Sequence, residues 1–183
     1  ATADLTGTTN EDQSVVVTLS GSDIDGDALS FSLDTDASNG SVVVDGSVAT
    51  YTPSDNFNGS DSFTFMVSDG ELTDTDTVTL TIEAVNDAPV LASVSDVSFN
   101  EDDSGSISLS ASDIDEDNLT FSITEGSDIT ALLVDSDITF SAPADFNGSE
   151  TFTISVSDGD LTDSQSITVT VIAQNDAPIA TAD

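Results

Sequence analysis

Apolar and polar residues alternate in short runs along this chain, and a period of two is that of a β-strand with one face turned inward. Val15, Val17 and Leu19 alternate with Val16 and Thr18, and Leu29, Phe31 and Leu33 with Ser30 and Ser32. Further on, Phe63, Phe65 and Val67 alternate with Thr64 and Met66, and Val78, Leu80 and Ile82 with Thr77, Thr79 and Thr81. Val42-Val43-Val44 and Val48-Ala49-Thr50-Tyr51 flank Asp45-Gly46, a two-residue hairpin signal, and Asn39-Gly40 marks another turn. Residues 1–10 are Thr-rich and supply a candidate first strand. Helical spacing of apolar residues is nowhere convincing.

The same order then returns. Glu101-Asp102 answers Glu11-Asp12, the run Ser112-Asp113-Ile114-Asp115-Glu116-Asp117 answers Ser22-Asp23-Ile24-Asp25-Gly26-Asp27, and Leu119, Phe121 and Ile123 answer the second strand, all offset by 90. A one-residue deletion near Asp145 makes the offset 89, after which ten of the fourteen residues from Phe146 to Gly159 match those from Phe57 to Gly70. Each copy closes on a joint, Val85-Asn86-Asp87-Ala88-Pro89 and Gln174-Asn175-Asp176-Ala177-Pro178, where the proline has no N–H with which to continue a ladder. The repeat predicts two domains, 1–87 and 88–183. About seven short strands in each, with turn signals between, predict an all-β fold of two tandem antiparallel β-sandwiches of immunoglobulin-like type. The Cys and Trp that mark antibody domains are absent, so Phe31, Phe63, Phe65, Phe121 and Phe152 are predicted to fill the space between sheets. The opening Ala1-Thr2-Ala3-Asp4 recurs in register as Ala180-Thr181-Ala182-Asp183, which suggests a fragment of a longer array, with export and anchoring signals elsewhere.

Charge changes the picture. The chain carries 36 acidic residues and no Lys, Arg or His, a formal net charge of -36. No salt bridge to a side chain can neutralise a carboxylate, so counter-charge must come from solution, and divalent cations are favoured where carboxylates converge. The same balance excludes nucleic acid, whose binding depends on basic residues releasing phosphate counterions, and argues against anionic membrane surfaces. Without Cys the fold has no disulfide staple. No apolar run reaches the length of a spanning helix.

Calcium takes six to eight hard oxygen ligands from Asp, Glu, Asn and backbone carbonyls. Each repeat offers four acidic clusters: in the first, Glu11-Asp12, the Asp23/Asp25/Asp27 turn, Asp69 and Asn86-Asp87. Strand ends alternate between the two poles of a sandwich. The Asp-x-Asp turn and the Ser-Asp-Gly turn are expected at one pole, and Glu11, the Asp55 loop and the joint at the other. A composite site is therefore expected where the repeats meet, from Glu11, Asp12 and Asp55 or Asp61 of the first, Asn86 and Asp87 of the joint, and Asp113, Asp115 and Asp158 of the second, with Asp117 as an extra ligand. An EF-hand is disfavoured because Asp23-x-Asp25-x-Asp27 has Ala28 at the glycine position and Asp34 at the twelfth. Zinc is disfavoured because no His or Cys exists.

This order of an early acidic residue, an Asp-x-Asp turn, a Ser-Asp-Gly after an inner strand and a terminal Asn-Asp-x-Pro resembles the cadherin repeat, and more closely the cadherin-like repeats of large bacterial calcium-dependent surface adhesins. The resemblance covers the chain twice. It implies interdomain calcium ligands at Glu11, Asn86, Asp87, Asp113, Asp115 and Asp158. The animal cadherin joint resembles Asp-x-Asn-Asp-Asn, whereas Ala84 and Ala88 stand at its first and last positions, and the Asp-Arg-Glu element is missing, with Asp55 and Asp61 as approximate replacements. One or two ions per joint are expected rather than three.

The expected function is calcium-stiffened extension of an extracellular, bacterial surface adhesin, with calcium, neighbouring repeats and a cell-surface protein or glycan as partners. Loosening by self-repulsion in low calcium would suit export as an unfolded chain. No enzyme is expected: without His, Lys, Arg or Cys there is neither a general base near neutrality nor a cationic stabiliser, and nothing forms a cleft for carboxylate-driven glycoside hydrolysis. The alternatives are a carbohydrate-binding module, for which Tyr51 is the one tyrosine available as a platform, and a passive spacer. Asn58-Gly59-Ser60, Asn118-Leu119-Thr120 and Asn147-Gly148-Ser149 match the glycosylation acceptor pattern and read as plain turns.

Overall fold

A computed structural model of the protein describes residues 5–178 and 180, and the chain divides into two compact units, Ala1–Val85 and Asn86–Asp183. The division falls two residues before the boundary read from the sequence, because Asn86 and Asp87 bond into the second unit. The readings of residues 1–4 as strand, and of 181–183 as their copy, lie outside the described residues.

In the first unit the alternating runs become β1 (Leu5–Asn10), β2 (Val15–Thr18), β3 (Ser30–Thr35), β4 (Gly40–Asp45), β5 (Val48–Pro53), β6 (Gly59–Ser68) and β7 (Thr73–Glu83). One sheet runs in the order β1-β7-β6-β3 and the other β2-β5-β4. The inward residues Phe63, Phe65, Val78, Leu80 and Ile82 of the first sheet share one core with Val17, Val42, Ala49 and Tyr51 of the second. The hairpin loop lies one residue later than its signal: Asp45 pairs with Val48, leaving Gly46 and Ser47 to turn, with Gly46 at φ 57°. Gly40 is required by space rather than by φ, since a Cβ there would lie 2.5 Å from the Tyr51 ring and from the Thr52 carbonyl oxygen.

The second unit contains β8 (Val90–Leu91), β9 (Val97–Asn100), β10 (Ser104–Ser108), β11 (Ala111–Ser112), β12 (Thr120–Ile123), β13 (Thr130–Val134), β14 (Asp137–Ser141), β15 (Gly148–Ser157) and β16 (Thr162–Ile172). Its sheets are β12-β15-β16-β9 and β10-β14-β13, with β8 and β11 paired separately. Phe140 and Phe152 meet edge-to-face in its core at 5.3 Å.

Two features depart from the sequence reading. Phe63, Phe65 and Phe152 are fully buried as expected, but Phe31 and Phe121 sit on β3 and β12, at sheet edges, and are only partly covered. The sandwiches are antiparallel except at one seam: β1 runs parallel to β7, from Leu5 opposite Val78 to Asn10 opposite Glu83, and β9 runs parallel to β16. Alternation reports which face a residue takes and is silent on strand direction.

Candidate metal centre

The second unit gathers its carboxylates between β11 and β12. Asp113 Oδ1 accepts the backbone N–H of Asp115 at 2.9 Å and of Asp117 at 3.4 Å, the local bonding that makes Asp a turn former. The turn uses one oxygen of Asp113 and leaves the other, Oδ2, buried and without a hydrogen bond. One carboxylate oxygen from each of Asp113, Asp115 and Asp117 lies within 4.8 Å of the other two.

Two further segments converge here. Asp158, in the β15–β16 turn, accepts Asp160 N–H at 2.7 Å and Leu161 N–H at 2.6 Å on Oδ1. Its Oδ2 accepts the Asn86 side-chain N–H at 2.9 Å, while Asp87 donates its backbone N–H to Asp115 Oδ2 at 2.8 Å. The structure thus brings together Asn86, Asp87, Asp113, Asp115, Asp117 and Asp158, all within one unit. Asp117 is held above the usual carboxylate range by desolvation, and then by the charges of Asp113, Asp115, Asp158 and Asp160. Asp158 is held below it, by the Asn86 amide first and by the Leu161 and Asp160 N–H groups. One carboxylate that resists ionisation beside one that favours it is the electrostatic signature of crowded like charges with unequal hydrogen bonding. All donors are hard oxygens, the set suited to calcium or another hard divalent ion.

The first unit repeats the turns. Asp23 Oδ1 accepts Asp25 and Asp27 N–H, and Asp69 Oδ1 accepts Glu71 and Leu72 N–H. Of its sequence candidates, Glu11 is buried and accepts the Val85 N–H, and Asp12, at φ 58°, accepts the Asn56 N–H at 3.0 Å. Asp55 is exposed beside that loop. Asp61 stands apart from these: Oδ1 accepts Ser38 and Ser62 N–H, and Oδ2 accepts Asn39 N–H and the Tyr51 hydroxyl. Burial disfavours its charge, yet the backbone donors and the phenol outweigh burial and hold its carboxyl low. In place of the metal ligand read from the sequence, Asp61 anchors the β3–β4 loop from inside.

The same contact removes Tyr51 as a sugar platform, because the side chain is fully buried and its hydroxyl is spent on Asp61 and the Asn39 carbonyl. The sequence reading missed two groups. Asp102, Asp145 and Asp176, exposed on the second unit, bring one oxygen each within 4.8 Å of the others. The repeat offset carries Asp12 onto Asp102 and Asp87 onto Asp176, which is the signal that pointed to two of them. Asp160, which acts on Asp117, carried no signal beyond its charge.

Comparison with solved structures places the fold. The first two extracellular domains of human protocadherin-24 align over 93% of this chain and 95% of theirs, at 16% identity and a TM-score of 0.56. Protocadherin gamma B2 domains 1–5 align over 95% of this chain and 39% of theirs, at 15% identity and a TM-score of 0.55. An endo-fucoidan hydrolase of glycoside hydrolase family 107 aligns over 94% of this chain at 23% identity, with a TM-score of 0.39, and the chain spans 28% of that enzyme's length. No curated protein sequence matches. The likeness to the protocadherins is one of fold alone, whereas the bacterial Ig domain family matches residues 1–81 and again 86–170. The chain therefore belongs to the bacterial Ig domain family, as two tandem copies.

Proposed function

We propose that the protein is a non-catalytic, calcium-binding tandem of an extracellular bacterial surface adhesin, and that calcium binds at the joint and stiffens the array. The observation that carries this reading is Asp113 Oδ2: a buried carboxylate oxygen with no donor, beside Asp115 and Asp117, in a chain without one cationic side chain. Such an oxygen is costly unless a cation meets it. Asn86, Asp87, Asp115, Asp117 and Asp158 would complete the ligand set with Asp113. Calcium supplies the positive charge these groups lack, and the turn bonds to Asp113 Oδ1 and Asp158 Oδ1 hold the carboxylates in place for it.

The stiffening role is supported by the place of these residues in the chain. Asn86 and Asp87 come directly after Val85, whose N–H is held by Glu11, so an ion that fixes Asn86 and Asp87 restrains the few residues that join the copies. The fold match to tandem protocadherin domains is consistent with such an arrangement of copies. The adhesin setting is supported by the bacterial family match.

Isothermal calorimetry with calcium, on the wild type and Asp113→Ala, tests the reading. Binding in the range of extracellular calcium modules, about 10⁻⁴ to 10⁻³ M, is expected for the wild type, with loss of a site in the variant. Equal heats for the two proteins would remove Asp113 from the site, and no heat from either would end the calcium reading.

A further inference from the structure

The segment that carries Asn86 and Asp87 is tied down at its far end by the short β8–β11 pair and by side chains of β16, and among these one amide makes the most bonds. Leading into β9, residues 90–96 run along the edge of β16 without a regular ladder there. Side chains bridge the gap instead: Asp163 Oδ2 accepts Leu91 N–H at 2.9 Å, and Asp96 Oδ1 accepts Thr168 N–H at 2.7 Å. Between them Gln165 works in both directions. Its Oε1 accepts Val94 N–H at 3.0 Å, and its Nε2 donates to the carbonyls of Leu91, at 2.9 Å, and Ala92, at 3.3 Å. Ala92 N–H also reaches the Ser110 carbonyl at 2.9 Å, and the Leu91 side chain is buried in the core.

We propose that Gln165 is a positioning residue for the metal centre: by strapping Leu91–Val94 to β16 it holds the preceding residues so that Asn86 meets Asp158 and Asp87 meets Asp115. The proposal rests on the calcium reading only for its effect on affinity. Three residues separate Leu91 from Asp87, and Pro89 among them has a fixed φ, so order at the strap is passed to the ligands. A side chain that both donates and accepts is needed, because the strap presents carbonyls and an N–H to the same place. Asp76, in register with Gln165 in the first unit, is a carboxylate and cannot make the two donations. Groups that orient metal ligands without touching the ion commonly govern affinity in this way.

The test compares wild type with Gln165→Ala, and with Gln165→Glu, which keeps the acceptor for Val94 and removes the donor if alanine prevents folding. Amide exchange is followed in EDTA, and calcium affinity by calorimetry. The Asp87 N–H, which Gln165 does not touch, is expected to exchange about tenfold faster in the variants, as loss of three hydrogen bonds to alanine or two to glutamate implies when part of that loss reaches Asp87, with amides of β14 and β15 unchanged. Calcium affinity is expected to fall about tenfold. Unchanged exchange at Asp87 overturns the proposal, as does wild-type calcium affinity in a variant whose Asp87 exchanges faster. If the wild type binds no calcium, the metal reading fails by itself, while faster exchange at Asp87 still upholds the strap.

Discussion

Asn86 gives its side-chain N–H to Asp158 Oδ2 across 2.9 Å, joining the first residue of the second unit to a turn 72 positions away. The bond is the main cause of Asp158's lowered pKa. In Asn86→Ala the carboxyl of Asp158 is expected to titrate at higher pH than in the wild type, read by NMR in EDTA. Because a depressed carboxylate stabilises the fold above its ordinary pKa and loses that contribution as pH falls through the native value, the variant should lose stability at neutral pH and be less sensitive to acid.

Calcium is expected to raise the melting temperature. At a hundredfold its dissociation constant an ion adds about 2.7 kcal/mol, and for a domain of this size that is a shift on the order of 10 °C. Calorimetric scans in EDTA and in excess calcium check it, and identical scans would contradict it.

Asp117→Asn should act with opposite signs in the two conditions. Its raised pKa means that, at neutral pH, its charge is held against desolvation and against Asp113, Asp115, Asp158 and Asp160; a group whose native pKa exceeds its unfolded one destabilises the ionised fold, and does so less as pH falls. Removing the charge should stabilise the protein in EDTA and weaken calcium binding. Thermal melts paired with a calcium titration read both.

Tyr51→Phe should cost the first unit about 1.5–3 kcal/mol, the range for a hydrogen bond to a charged group, measured by urea unfolding. The second unit shows what makes phenylalanine acceptable at this position. Phe140 takes the place of Tyr51, each buried and paired across its hairpin with Ala131 and Val42 respectively, and the acid in register with Asp61 is the longer Glu150, which accepts Ser127 and Asp128 N–H without a phenol. The Asp61 contribution is present at neutral pH and is lost as pH falls below 3.8 and through its lower native value. Asp61→Asn should flatten that acid limb.

Much of the fold was legible because the strands of the two main sheets repeat their pattern of inward apolar residues at a second place in the chain. The hairpin between β4 and β5 was readable from Asp45-Gly46 to within one residue, since a φ above zero favours Gly there. Strand direction was not, because a parallel β1 shows the same alternation as an antiparallel one. The Asp-x-Asp and Ser-Asp-Gly turns could be read as clusters, but not the unequal use of their oxygens: that Asp113 Oδ1 closes a turn while Oδ2 is buried without a partner is a matter of three-dimensional packing that residue order does not carry. Asp61 looked like its acidic neighbours, because nothing local announces that Tyr51 and the Ser38–Asn39 backbone will close over it.

The parallel seam has a mechanical consequence. Because β1 lies beside β7 and points the same way, the chain comes into the first unit at one end and leaves from the other, and the same holds for β9 and β16. Tension applied through the chain slides these strands past each other, so the evenly spaced bonds of the ladder bear the force together and do not peel one at a time. The first unit opposes such a pull with six facing residue pairs and the second with four, and in the second the Gln165 strap lies directly in the line of force.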